Sequence, residues 1–211
     1  FENTWRDYFD LDRDYKGIRE RLNNDEYIKK AAEYGKGIRI LRQDRWEILC
    51  SFIISQCNNI PRIKKIIEAL CENFGKPLFF QGRKMYSFPD ASIIAGLTAH
   101  ELEPVRCGYR AEYIIKAANA VASNEIDLDM LAEGGYDKAF HELKKLRGIG
   151  DKVANCVILY GLHIPGAFPM DVWMKRAVSA NYGKNFDSKI YGNTAGLAQQ
   201  YIFYYARSGN I

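Results

Sequence analysis

Apolar positions recur at helical rather than strand spacing along almost the whole chain. Ile63, Ile66, Ile67 and Leu70 fall at i, i+3, i+4 and i+7. Ahead of them, Asn58-Asn59-Ile60-Pro61 supplies an N-cap and a first-turn proline, and Gly75 with Pro77 stops the run. Asp44 with Glu47 makes an aspartate version of the capping box before Trp46, Leu49, Phe52 and Ile53. That segment is apolar on most sides, which predicts a central helix. Asp12 is expected to cap a first helix reaching Leu22. A second should run from near Asn24 to Tyr34, where Gly35 and Gly37 break the period. The first few residues show no helix start of their own, and 38–41 is a short apolar connection.

Residues 76–89 read as an irregular, aromatic-rich loop. Short helices should open near Asp90 and near Thr98, the latter with Glu101 in a T-x-x-E box. A longer one follows Cys107-Gly108 with Tyr113, Ala117 and Val121 on one side, and another short one runs from Asp127 to Gly134-Gly135. Further helices are predicted over 137–146, 152–161, 171–182 and 194–207. No alternating pattern of strand length appears, and no repeat period. The predicted fold class is all-α.

A length of 211 residues can bury a substantial core, as one large domain or two lobes. Hydrophobic residues at 47% and charged ones at 27% are ordinary for a soluble globular protein. No apolar run approaches the roughly 20 residues of a membrane span, and no signal-peptide core is present, so no membrane partner is expected. The five cysteines are scattered, without a C-x-x-C pair, and the three histidines are isolated. Reduced thiols in an intracellular compartment follow, with no metal site and no cofactor. A net charge of +4 suits a polyanionic partner without requiring one. The chain opens on Phe1, which reads as a fragment whose N-terminal portion has been removed.

Chemistry concentrates at Leu146–Cys156, LRGIGDKVANC. Gly148 and Gly150 are expected to allow positive φ and close backbone approach. They would bare main-chain amides at a helix start, where the dipole favours an anion such as a phosphate. Gly-x-Gly alone is as well a helix C-cap in an αα-turn. Leu143 and Leu146 before it, with Val153, Ala154, Val157 and Ile158 after it, complete a helix-hairpin-helix pattern. Lys152, just past the turn, is either a solvated charge or an amine kept partly free for Schiff-base chemistry. Asp171 suits an N-cap, and equally a carboxylate that stabilises positive charge developing at a sugar C1′.

LRGIGDKVANCVILYGLHIPGAFPMDVWMKR resembles the helix-hairpin-helix-GPD signature of base-excision DNA glycosylases. LRQDRWEILCSFIISQCNNIPRI, CGYRAEY and AGLAQQYIF resemble the 8-oxoguanine DNA glycosylase branch, and the likeness covers nearly the whole chain. The resemblance implies a two-lobed helical core with the active site in the cleft between lobes. One lobe would be 44–164, containing the hairpin, and the other 1–43 with 165–211. The family's N-terminal β domain, whose backbone carbonyl helps recognise the lesion, would be absent. It further implies excision of 8-oxoguanine from duplex DNA by a monomer, in the cytoplasm or nucleoid of a prokaryote or the nucleus of a eukaryote. Lys152 would attack C1′ and proceed to β-elimination, with Asp171 stabilising charge. Amides of Gly148, Gly150 and Val153 would grip a phosphate. Tyr109 would be the wedge beside the opposite base, with Arg62, Arg110, Asn58 and Cys57 around that base. Phe203 and Cys156 would sandwich the flipped base and Gln199 would read its edge.

Two positions depart from the branch. Cys57 stands where an asparagine fills the vacated stack, which implies looser discrimination of the opposite base. Trp173 replaces a phosphate-binding histidine, with an indole N–H left to donate. The rival readings are an alkylated-base glycosylase, which generally lacks the lysine, and a non-catalytic helix-hairpin-helix DNA-binding module, which needs neither Lys152 nor Asp171. An iron–sulfur member is excluded, because no cysteine follows Cys156.

Overall fold

Side-chain caps open α-helices in both halves of the computed structural model, which describes residues 1–2, 4–23 and 25–210. The contacts divide the chain into two units, Phe1–Gln43 with Ala154–Ile211, and Asp44–Val153.

The first unit begins with a single turn, α1 (Trp5–Tyr8), where no helix start was expected. Asp14, not Asp12, caps α2 (Tyr15–Arg21) by accepting from the Gly17 amide. Asp12 instead accepts from the Arg6 guanidinium at 2.6 and 3.0 Å. Asp25 caps α3 (Glu26–Tyr34), and the expected start at Asn24 lies outside the described residues. Later come the main part of α10 (Asp151–Tyr160), α11 (Val172–Asn181), a 3-10 stretch at Ser188–Thr194 and α12 (Ala195–Arg207). α12 packs on α3, α11 and the 3-10 stretch. Ile28, Leu159, Met174, Ala198, Tyr201 and Ile202 are fully buried in this unit. It also buries a polar cluster. Asp10 takes Arg13 at 2.5 Å and the Tyr15 hydroxyl at 2.8 Å, and His163 Nε2 lies 3.4 Å away.

The second unit starts at α4 (Arg45–Ser55), capped by Asp44, and α5 (Ile60–Phe74), capped by Asn59. α4 buries Trp46, Ile48, Leu49, Cys50, Ile53 and Ile54, so burial covers most of its circumference as its composition predicts. Residues 77–86 are not an irregular loop but an antiparallel hairpin, β1 (Pro77–Phe80) with β2 (Arg83–Tyr86). Gln81 and Gly82 both have positive φ (48° and 74°), the two-residue primed turn that fits strand twist. Alternation could not reveal these strands, because Leu78, Phe79, Phe80 and Met85 are all exposed. α6 (Ala91–Ala95) follows.

The Thr98–Glu101 box forms, with both the Thr98 amide and hydroxyl 2.8 Å from Glu101, but no α-helix follows. Pro104 lacks the N–H a continuing helix needs, and the chain makes only a 3-10 turn, Glu103–Val105. α7 (Arg110–Ala122) buries Ala111, Ile114, Ala117 and Ala118, a face rotated from the expected Tyr113–Val121 side. α8 (Leu128–Glu133) and α9 (Gly135–Leu143) complete the unit, α9 ending short of Leu146, which is buried in the turn beyond. Among the described residues no helix is long and apolar enough to cross a membrane.

Candidate functional site

The turn between α9 and α10 is held from below by Leu146 and Ile149, both buried, with the Ile149 amide 3.1 Å from the Leu146 carbonyl. Its two glycines are not equivalent. Gly148 has φ +88°, and a Cβ there would lie 2.4 Å from the Tyr113 ring. Gly150 does not have positive φ, contrary to expectation, and a Cβ there would meet nothing within 4 Å. The fold therefore requires glycine at 148 and not at 150. Three ion pairs ring the turn: Lys144 with Asp151, Lys145 with Glu142 at 2.7 Å, and Arg147 with Glu112 at 3.6 Å.

Lys152 and Val153 lie in the first turn of α10. Val153 is buried. Lys152 is half-buried, its ammonium 5.4 Å from the Phe52 ring centroid.

A second group of candidates meets where α4 ends. Cys57 is exposed and has φ +46°, a conformation uncommon for a residue with a side chain. Asn58 turns inward: its amide donates to the Ile54 carbonyl at 3.0 Å and its oxygen accepts from the Asn59 amide at 3.0 Å. Arg62 is exposed in the first turn of α5. Arg110 is only 3% exposed. It donates to the carbonyls of Gln56 (Nε, 2.9 Å, and Nη2), Cys57 (3.1 Å) and Cys107 (3.4 Å). The carbonyls just past the C-terminus of α4 carry partial negative charge, which explains why a guanidinium can be buried there. Tyr109, 54% exposed, lies on Arg110 with its ring centroid 4.5 Å from the guanidinium carbon.

In the first unit, Asp171 caps α11 by accepting from the Met174 amide at 2.8 Å through Oδ1, which leaves Oδ2 outside the cap. Trp173 is partly exposed, with the Arg176 guanidinium 5.6 Å over its ring. Cys156 and Gln199 are buried, and Phe203, one turn beyond Gln199 on α12, is half-buried. Sequence reasoning missed the groups that join these. The Gln200 amide donates to the Gln199 oxygen at 2.6 Å and to the Tyr160 hydroxyl. Burial, then the charges of Cys156 and Asp171, push the Tyr160 phenol far above its ordinary range. Gln200 bridges the Tyr160 hydroxyl and Gln199. The available signal was spacing, since Tyr160 follows Cys156 by one helical turn and Gln200 adjoins Gln199. Among the described residues no group of three or more His, Cys, Asp or Glu side chains could hold a metal ion.

Residues 50–191 match the family model described as HhH-GPD superfamily base excision DNA repair protein. The chain belongs to this superfamily. Residues 1–49 match the N-terminal domain of 8-oxoguanine DNA glycosylase, and the regular structure described in that stretch of this HhH-GPD chain is helical. The N-glycosylase/DNA lyase of Saccharomyces cerevisiae is 33% identical over 189 residues, covering 83% of this chain and 50% of the yeast protein. The chain thus spans about half the length of that relative. The structure of MBOgg1 in complex with a low-affinity DNA ligand is 44% identical, with a TM-score of 0.93 over 100% of this chain and 76% of that one. Clostridium acetobutylicum 8-oxoguanine glycosylase/lyase, bound to double-stranded DNA with cytosine opposite 8-oxoguanine, is 40% identical. Its TM-score is 0.91, over 100% of this chain and 76% of that one.

Proposed function

We propose that this HhH-GPD protein is a bifunctional DNA glycosylase and abasic-site lyase that removes 8-oxoguanine from duplex DNA. The observation that carries the reading is the placement of Lys152. It sits at the start of the helix that follows the Gly148 turn, beside an apolar ring, in a chain 40% identical to a glycosylase/lyase crystallised on such DNA. An HhH module that only binds DNA needs the Gly148 turn but neither Lys152 nor Asp171.

In the proposed reaction the Lys152 amine attacks C1′ of the damaged nucleoside, and the electrons of the glycosidic bond leave with the base, which takes up a proton. The carboxylate of Asp171 stabilises the positive charge that develops at C1′. The nitrogen lone pair then opens the sugar ring, C1′–O4′ breaking and O4′ taking up the proton that the nitrogen loses, and the resulting imine acidifies C2′. Loss of that proton expels the 3′ phosphate, and water then releases the lysine. Amides of Gly148, Gly150 and Val153, with the Trp173 indole, fix the DNA backbone. Taking the base out of the stack costs a few kcal/mol, and Tyr109 is the proposed wedge that fills the gap. Arg62 and Cys57 face the opposite base, Cys57 from a loop that Asn58 and Arg110 hold, while Phe203, Cys156 and Gln199 receive the flipped one. The protein would act as a monomer.

The test is borohydride trapping on a duplex with 8-oxoguanine opposite cytosine and, in parallel, on an abasic site. The wild type should give a covalent product on both, and Lys152→Gln on neither. An inert wild type would favour the binding module; product from Lys152→Gln would refute the lysine assignment.

A further inference from the structure

Tyr113 has none of the roles assigned above, yet its ring lies between two of the proposed DNA-contacting segments of the second unit. On one side is the phosphate-gripping turn. A Cβ on Gly148 would stand 2.4 Å from Cδ2 of Tyr113 and 2.7 Å from Cε2 and Cγ, so the turn's backbone rests directly against the ring. The Arg147 guanidinium lies 6.0 Å from the same ring and is tied to Glu112, the neighbour of Tyr113. On the other side, Tyr109 meets Tyr113 in a T-shaped contact, with centroids 5.7 Å apart and planes at 74°. Tyr109 in turn lies on the buried Arg110, whose donors hold the Gln56 and Cys57 carbonyls. The contacts run without a gap from the turn, through two tyrosines and an arginine, to the exposed Cys57.

We propose that Tyr113 is a positioning residue through which the 146–150 turn sets the pose of Tyr109. The inference rests on the reading of Tyr109 as the wedge. Tyr109 is more than half exposed, so few neighbours restrict its rotamer: the guanidinium supports one face and Tyr113 supplies the wall beside it. Removing that wall frees the ring to swing, and a wedge that must be ordered during base extrusion acts more slowly. Because the Tyr113 wall is itself backed by Gly148, phosphate binding at the turn and ring pose at Tyr109 become one packed unit.

The experiment compares Tyr113→Leu, Tyr113→Phe, Tyr109→Ala and the Tyr109→Ala/Tyr113→Leu double variant. Each is assayed for single-turnover excision of 8-oxoguanine from a duplex and for borohydride trapping on a single-stranded abasic site, where no base must be unstacked. Thermal melts confirm folding. Tyr113→Phe keeps the ring and should retain the excision rate. Tyr113→Leu should lower excision on the order of tenfold while leaving abasic trapping within about twofold. The double variant should fall no further than Tyr109→Ala alone, because both changes remove the same element. Tyr113→Met, which fills the space with a flexible chain, gives the same comparison if the leucine variant does not fold. If Tyr109→Ala slows excision and Tyr113→Leu does not, or if their effects add, the coupling is overturned and the wedge stands. If Tyr109→Ala excises at the wild-type rate, the wedge reading itself falls, and this inference with it.

Discussion

Replacing Gly148 and Gly150 by alanine should separate what the fold needs from what DNA needs. At Gly148 the backbone has φ +88°, where an L-residue pays about 1–2 kcal/mol. The new methyl would also lie 2.4–2.7 Å from the Tyr113 ring, closer than real contacts allow. The ring must move off its contacts with Tyr109, and overpacking of this kind costs about 1–3 kcal/mol. The sum, about 2–5 kcal/mol, is a large share of the ~5–15 kcal/mol that holds a domain together. At Gly150 neither term exists, so stability should stay within about 0.5 kcal/mol of wild type. Its methyl would instead stand on the face offered to a phosphate, and duplex affinity should fall several-fold. Urea denaturation measures the first effect as a shift in midpoint, and fluorescence anisotropy with a labelled duplex measures the second. Gly148→Ala in a Tyr113→Ala background should recover the overpacking share and leave the φ share, a coupling of about 1–3 kcal/mol. A wild-type midpoint for Gly148→Ala, or equal destabilisation by the two alanines, would refute the reasoning.

At Asp171 the cap and the chemistry can be parted. Asp171→Ala should lose about 1 kcal/mol of stability with the cap to Met174, whereas Asp171→Asn keeps a capping oxygen and the melting midpoint but not excision. Full activity in Asp171→Asn would remove the carboxylate from the mechanism. At Cys57, φ +46° suits asparagine better than cysteine, so Cys57→Asn should stabilise by up to about 1 kcal/mol. Wild type should excise 8-oxoguanine at comparable rates opposite all four bases, and a strong preference for cytosine would sink the argument from the thiol. The Asp10 cluster should make the protein acid-labile in two stages. Burial first, then the Arg42 charge, holds the His163 pKa below its ordinary 6.5, so the unfolded chain binds the extra proton. Stability is therefore complete above pH 6.5 and declines below it. Burial alone would raise the Asp10 pKa, but hydrogen bonds from Tyr15 and Arg13 outweigh it and hold the group below 3.8, adding a second loss under that pH. A flat urea midpoint between about pH 7 and 5, the window that follows from His163, would contradict the first stage.

Local rules made much of this protein legible before any coordinates. The caps at Asp44, Asn59, Asp127 and Asp171, and the hairpin before Lys152, depend on interactions a few residues apart, which spacing alone records. Where a local rule failed, a neighbour in sequence usually explains it, as Pro104 does for the missing helix after Thr98. The aromatic hairpin at 77–86 escaped for another reason: its strands are exposed on both faces and carry no alternation.

Only the tertiary structure decided which side chains are held and by what. Arg110 reads as a solvated charge until the Gln56 and Cys57 carbonyls, more than fifty residues earlier, are seen to bury it. Gly148 and Gly150 look alike in sequence, and a positive φ together with the Tyr113 ring packed against it makes only the first indispensable to the fold. The Tyr160–Gln200–Gln199 link and the Asp10–His163 pair likewise join segments remote in the chain. Periodicity reports which face of a helix is apolar; it carries no information on which distant group will meet that face. Those meetings, fixed by packing, determine which residues of the site are already committed to one another and which stay exposed for DNA.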